Sequence, residues 1–186
     1  MTTKERIKRI VDTIDDVVIV ATTDATNQLF ADIEDRIFNK GLDADNKPIG
    51  RYSTKGIFVG GSSFRNKSTA DAFFSKIKQL EKKRKDGSNW RTIDNHHLYF
   101  LEGGYKHLRE LQGLQSAKVD LTVTGHLKSS ITRDDNRVFF ENIYGVKVGR
   151  GQEVHFKKDI FQPTKEEKKT VLKIMNEHID KLFTNG

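Results

Sequence analysis

From Ile7 to Ile37 apolar residues return every three or four positions: Ile7, Ile10, Val11, Ile14, Val17, Val18 and Ala21, then Ala25, Leu29, Ile33 and Ile37. That period is one face of a helix, and it predicts a helix over about 3–40, far longer than the usual three turns. So long a helix with so narrow a stripe needs another surface against it. It serves either as a contact between copies or as the spine of a sheet-backed domain. The β-branched run Val17-Val-Ile-Val20 and the Thr22-Thr23-Asp24 cluster are where it could divide in two, and both readings stay open. Gly41 supplies the stop.

The far end of the chain carries the second firm helix. Thr164 followed by Glu167 is a capping box, with Pro163 holding the preceding segment extended. Val171, Leu172, Met175, Ile179, Leu182 and Phe183 then form an apolar stripe on a helix over 165–183, read as a packing helix.

Between them the patterning turns to strands. Val119, Leu121 and Val123 alternate with Asp120, Thr122 and Thr124, which predicts a strand. Gly125 turns the chain, and Leu127 and Ile131 sit four apart as on a short helical turn. Thr124, Gly125, Leu127, Ser130 and Ile131 thus form a structural junction. Ser129 and Ser130 read as capping residues of that turn, because His126 is the only base nearby and no Gly-x-Ser-x-Gly elbow is present. Residues 137–143 and 144–150 read as further strands, from Val138, Phe139, Phe140 and Ile143 and from Val146 and Val148, with a turn at Asp134-Asp-Asn136 and a loop or edge strand over 153–160. Residues 94–101 read as a short aromatic strand, the aromatic segment 51–60 as a strand or an extended arm, and 105–115 as a short helix or packed loop. The fold class expected is therefore α+β: a small, mostly antiparallel sheet packed with long N-terminal and C-terminal helices, in one domain of 186 residues with residues 60–89 as a flexible insertion or arm. Within that arm Gly60-Gly-Ser-Ser63 is a hinge, and 70–80 reads as a helix through Phe73, Phe74, Ile77 and Leu80.

Chemistry is sparse. The chain has no cysteine, so disulfides, thiolate zinc sites and cysteine nucleophiles are excluded, and a reducing compartment fits. Asp43, Asp45 and Asn46 in the loop after Gly41 invite a calcium reading, but the loop lacks the sixth-position glycine and has Thr54 where a bidentate Glu belongs. None of the six histidines has metal-ligand spacing, and adjacent His96 and His97 point to opposite faces of a strand. Gly145, Gly149 and Gly151 lie among expected strands and make no dinucleotide fingerprint. Glu102, Glu110 and Asp120 have no paired partner that the sequence can place. No catalytic residue, cofactor or metal is expected. Asn66-Lys-Ser68 matches a glycosylation sequon, without a secretory signal to make it meaningful.

Charge leaves two readings. The 33 Lys and Arg against 26 Asp and Glu give a net charge of +7, which favours acidic partners or nucleic acid. Lys82, Lys83, Arg84 and Lys85 form a basic block that either contacts phosphate or a partner, or is the solvated tip of the insertion. No nucleic-acid motif accompanies it, which favours the tip. No apolar run approaches the length that a bilayer needs, and the charged 4–9 segment is no signal peptide, so a cytoplasmic origin and no membrane partner are expected.

The order of several short motifs resembles one family. A long N-terminal helix, the loop Gly41-x-x-Ala44-x-Asn46-x-Pro48-Ile49-Gly50-x-Tyr52-Ser53, the 105–115 segment and Leu121-Thr-Val-Thr-Gly-His-Leu-Lys-Ser-Ser-Ile131 resemble the virion morphogenesis, or tail completion, proteins of tailed bacteriophages. The resemblance covers most of the chain outside 60–89 and the C-terminal helix. It departs from the family at Lys47, where a small residue is usual, and at His126. It implies a structural virion protein made in the host cytoplasm: a head-to-tail connector subunit forming a homo-oligomeric ring of six or twelve copies in the neck or tail. Portal-adaptor or tail neighbours and genomic DNA passing through the channel would be its partners. The alternative is a sequence-independent nucleic-acid-binding protein using Lys82–Lys85; an enzyme is the third and weakest reading.

Overall fold

The computed structural model describes residues 2–64, 67–79, 90–93, 96–122 and 125–184. Helix α1 spans Thr3–Glu34 without a break. Its start is closed by a capping box: the Glu5 amide donates to Thr2 Oγ1 and the Thr2 amide to Glu5 Oε2. The division allowed for at 17–24 does not occur. Thr22 Oγ1 donates back to the carbonyls of Val18 and Ile19, so the hydroxyl is satisfied along the helix, and the β-branched run costs only tenths of a kcal/mol per residue, ~0.5 at most. The final turn, Asp35–Lys40, is a π-helix, and Gly41 ends it at φ 70°.

The described residues divide into two compact units: Met1–Ile49 with His126–Gly186, and Gly50–Gly125. In the first, α6 (Lys165–Thr184) lies along α1. Its capping box forms as the sequence requires, with the Glu167 amide donating to Thr164 Oγ1 at 3.0 Å and the Thr164 amide to Glu167 Oε2 at 2.7 Å. The buried Arg36 guanidinium holds the end of α1 to this cap: Nε donates to Glu167 Oε1 (2.7 Å), Nη1 to the Leu42 and Ile160 carbonyls, and Nη2 to that of Gln162.

A one-turn helix α4 (His126–Ser129) leads in the same unit to the antiparallel hairpin of β4 (Ile131–Arg133) and β5 (Val138–Phe140), with Ile131 opposite Phe140. Helix α5 (Ile143–Phe156) then stands where 144–150 was expected as strand, and it takes 153–156 of the stretch expected as loop or edge strand, whose remainder, 157–160, is loop. The Asn142 side chain caps it by accepting from the Gly145 amide. Gly145 and Gly149, four apart, let the helix sit against Ser130 and Phe140; a Cβ on Gly149 would lie 2.7 Å from the Phe140 ring. The alternation of Val146 and Val148 is thus incidental to a helix whose packing side is made of glycines.

The second unit is built on an antiparallel three-stranded sheet ordered β1 (Ile57–Val59), β3 (His96–Leu101), β2 (Trp90–Ile93). Val59, Tyr99 and Leu101 pack with Phe64, with Ala70 and Phe73 of α2 (Lys67–Gln79), and with Leu108 of α3 (Gly104–Leu111) to make its core. Gly104, at φ 64°, starts α3 against backbone: a Cβ there would strike the Lys55 carbonyl and come within 2.7 Å of that of Ser53. The strand expected at 119–123 is absent from the described part of that stretch. Val119 and Asp120 are buried in a loop, and Leu121 turns it at φ 54°. Asp120 folds back to receive Arg109, and that pairing overrides the period-two pattern.

Candidate self-association surface

One stripe runs the length of α1, but the molecule covers only half of it. Ala21 and Ala25 are 1–2 % exposed, and from there the β4–β5 hairpin takes over: Thr26 Oγ1 donates to the Asp135 carbonyl, Arg133 bonds Asn27, and Arg133 stacks on the Phe30 ring at 4.9 Å. Toward the N-terminus the same helical row continues as Ile7, Val11, Ile14 and Val18, spaced four, three and four, and these are 41–65 % exposed. At 1.5 Å per residue the 32 residues of α1 reach about 48 Å, whereas the 20 of α6 reach about 30 Å.

The two helices form a thin layer. Arg6 Nη2 donates to the Phe183 carbonyl at 2.6 Å, and His178 Nε2 stands 3.0 Å from Asp24 Oδ2, so α6 runs antiparallel to α1. Ile10 and Val17 of α1 face α6, as do Val171, Ile174, Met175, Ile179 and Leu182 in return, yet every one of them is only half-buried. A helix pair buries one side of each stripe; a third surface is needed to bury the rest. Leu172 and Phe183 add exposed apolar area on α6, and Ile143 and Val154 add it on α5. Covering a half-exposed aliphatic side chain contributes about 1 kcal/mol. Isolated exposed apolar residues are ordinary on protein surfaces, but a row at helical spacing along one helix is not.

No family model, curated protein or solved structure matches this chain. Its surfaces therefore have to be read from their own chemistry. At the expected junction Ser129 Oγ donates to the His126 carbonyl and Ser130 Oγ to that of Leu127. Gly125 takes φ 74°, and Leu127, Ser130 and Ile131 are buried. Thr124, the basic block Lys82–Lys85, Leu80, the sequon residue Asn66 and residues 80–89 of the 60–89 arm lie outside the described residues, and so do the side chains of His96 and His97.

The calcium-like loop is occupied by the protein itself. Asp43 Oδ1 accepts the amides of Asp45 and Lys47, and Oδ2 accepts Lys158 Nζ at 2.7 Å. Burial raises the Asp43 pKa, but the Lys158 ammonium and those amides outweigh it and leave the carboxyl below the usual range. Among the described residues no three His, Asp or Glu side chains converge as a metal site. No helix among them is long and apolar enough to cross a membrane. A groove of about 270 Å³ between α1 and the hairpin, lined by Leu29, Ile33, Val138, Phe139, Phe140 and Phe161, is apolar and carries no convergent acid or base.

The ionisable residues that do converge were not foreseen. Arg36 with Glu167, and Arg109 with Asp120 and Tyr52, are buried clusters whose members stand 131, 11 and 68 positions apart along the chain. Only Glu167 carried a signal, as half of a capping box. Tyr52 donates to Asp120 Oδ1 and accepts the Asp120 amide; burial raises the pKa of its hydroxyl strongly, so it stays protonated and able to donate.

Proposed function

We propose that this chain is a structural subunit that works by assembling with copies of itself into a closed ring, in the neck or tail of a tailed phage, where it joins the capsid portal to the tail around the DNA channel. The observation that carries the reading is the uncovered row Ile7, Val11, Ile14 and Val18 on a helix that outreaches its partner. Placed between subunits, the row completes the layer that α1 and α6 leave half-covered, and a head-to-tail contact repeated around an axis closes without edges. The family resemblance supplies the setting, and the buried clusters supply no chemistry: each charge in them is consumed by a structural partner. The basic balance suits passage of DNA, for which sequence-independent attraction suffices.

A mass measurement at rising concentration tests this. The wild-type chain is expected to assemble, and a chain with Val11→Glu and Val18→Glu to associate roughly 100-fold more weakly, since two carboxylates would be driven into an apolar contact. A wild type that stays monomeric at every concentration and is absent from purified particles would sink the reading.

A further inference from the structure

Two rows of side chains on this molecule match in spacing and complement each other in charge. On α1 the row is Ile7, Val11, Ile14 and Val18, with the exposed carboxylates of Asp12 and Asp15 one residue round the helix from Val11 and Ile14. On α5 the row is Ile143, Lys147, Arg150 and Val154, again spaced four, three and four, on the side opposite the buried Gly145 and Gly149. Its two aliphatic ends are 73 and 77 % exposed, more than any residue of the α1 row. Within the described residues no hydrogen bond or ion pair engages Asp12, Asp15, Lys147 or Arg150, so all four charges remain available to a partner.

We propose that α1 of one copy docks on α5 of the next copy, and that this pair is the repeating contact of the ring; the inference rests on the self-assembly reading above. Run antiparallel, which also opposes the two helix dipoles, Ile7 meets Val154 and Val18 meets Ile143. Arg150 and Lys147 then fall opposite Val11 and Ile14. Their aliphatic stems cover those residues, and their charged heads reach past them to Asp12 and Asp15. Because α1 and α5 are different surfaces, the contact is head-to-tail and each copy offers one of each. The exposed carboxylates Asp12 and Asp15 thus meet the exposed cations of α5, and that charge complementarity names α5 of the next copy as the occupant.

The test uses the full chain in two charge-reversed forms, one with Asp12→Lys and Asp15→Lys, the other with Lys147→Glu and Arg150→Glu. All four positions are exposed, and circular dichroism checks that helix content is kept. Each form alone places like charges across the contact and is expected to associate at least about tenfold more weakly than wild type by sedimentation. Mixed in equal amounts they restore opposite charges at every contact, and assembly is expected to return, in alternating order. If the wild type assembles and the Lys147→Glu, Arg150→Glu chain assembles equally well, or the mixture fails to recover, this contact is wrong while the ring reading stands. A wild type that never assembles removes both.

Discussion

Arg36 and Arg109 are both buried arginines facing a single carboxylate, and they are satisfied in opposite ways. Around Arg36 the cation is the hub: it donates to Glu167 and to three carbonyls that belong to the segments on either side of it. Around Arg109 the anion is the hub. Asp120 receives Arg109 Nη2 on both oxygens, Gln115 Nε2, the Tyr52 hydroxyl and the Thr122 amide, while Arg109 Nη1 has no hydrogen-bond partner among the described residues and the guanidinium rests 4.5 Å from the centre of the Tyr52 ring. The difference teaches which half of a buried pair the fold depends on: the half that serves several chain segments at once.

The comparison can be broken by substitution, with hydrogen exchange reading each unit separately. Arg36→Ala should be the most damaging change, about 4 kcal/mol, because it strands a buried carboxylate and three carbonyls together. In the second unit Asp120→Ala should cost about 3 kcal/mol by leaving Arg109 buried and unpaired, and Arg109→Met distinctly less, about 1–2 kcal/mol, since Asp120 keeps its other donors. Equal losses for these two would show that Asp120 is no hub. Tyr52→Phe removes one hydroxyl that both donates and accepts, at about 1 kcal/mol.

The smallest effect expected is with pH. Burial pushes the Asp120 carboxyl up, but hydrogen bonds from Gln115, Thr122 and Tyr52 more than offset it and hold it below the ordinary range. A depressed folded value means that its stabilisation is complete above the ordinary carboxylate pKa of about 4 and is lost as pH falls through the lower folded value. Asp120→Asn should therefore flatten the acid limb of stability in the second unit. An unchanged limb would assign that dependence to other carboxylates.

What could be read in advance was whatever is local. The α6 cap is decided by Thr164 and Glu167, three residues apart, and the end of α1 by a single glycine; both appear as expected. The α+β class followed from the two helical stripes together with the strand patterning between them. Misreadings arose where a local pattern imitated another state. Val146 and Val148 alternate like a strand, and only Asn142 as a cap and glycines four apart at 145 and 149 would have revealed α5. At 119–123 the alternation is real but yields to Arg109, whose partner no periodicity can announce. The surface row on α1 was visible as a stripe, yet nothing local tells which half the hairpin covers.

The wide turn at Asp35–Lys40 sets a count that the rest of its unit must obey. It carries one more residue per turn than the helix before it, which lets Arg36, Ile37 and Phe38 all face inward in succession and brings the Leu42 amide back to the Arg36 carbonyl at 2.9 Å. Shortening it by a single residue would leave every helix intact while moving the Leu42 carbonyl out of the guanidinium's reach. Length at these six positions is therefore under tighter constraint than the identity of the exposed Asn39 or Lys40, and changes in chain length should be tolerated here least of all.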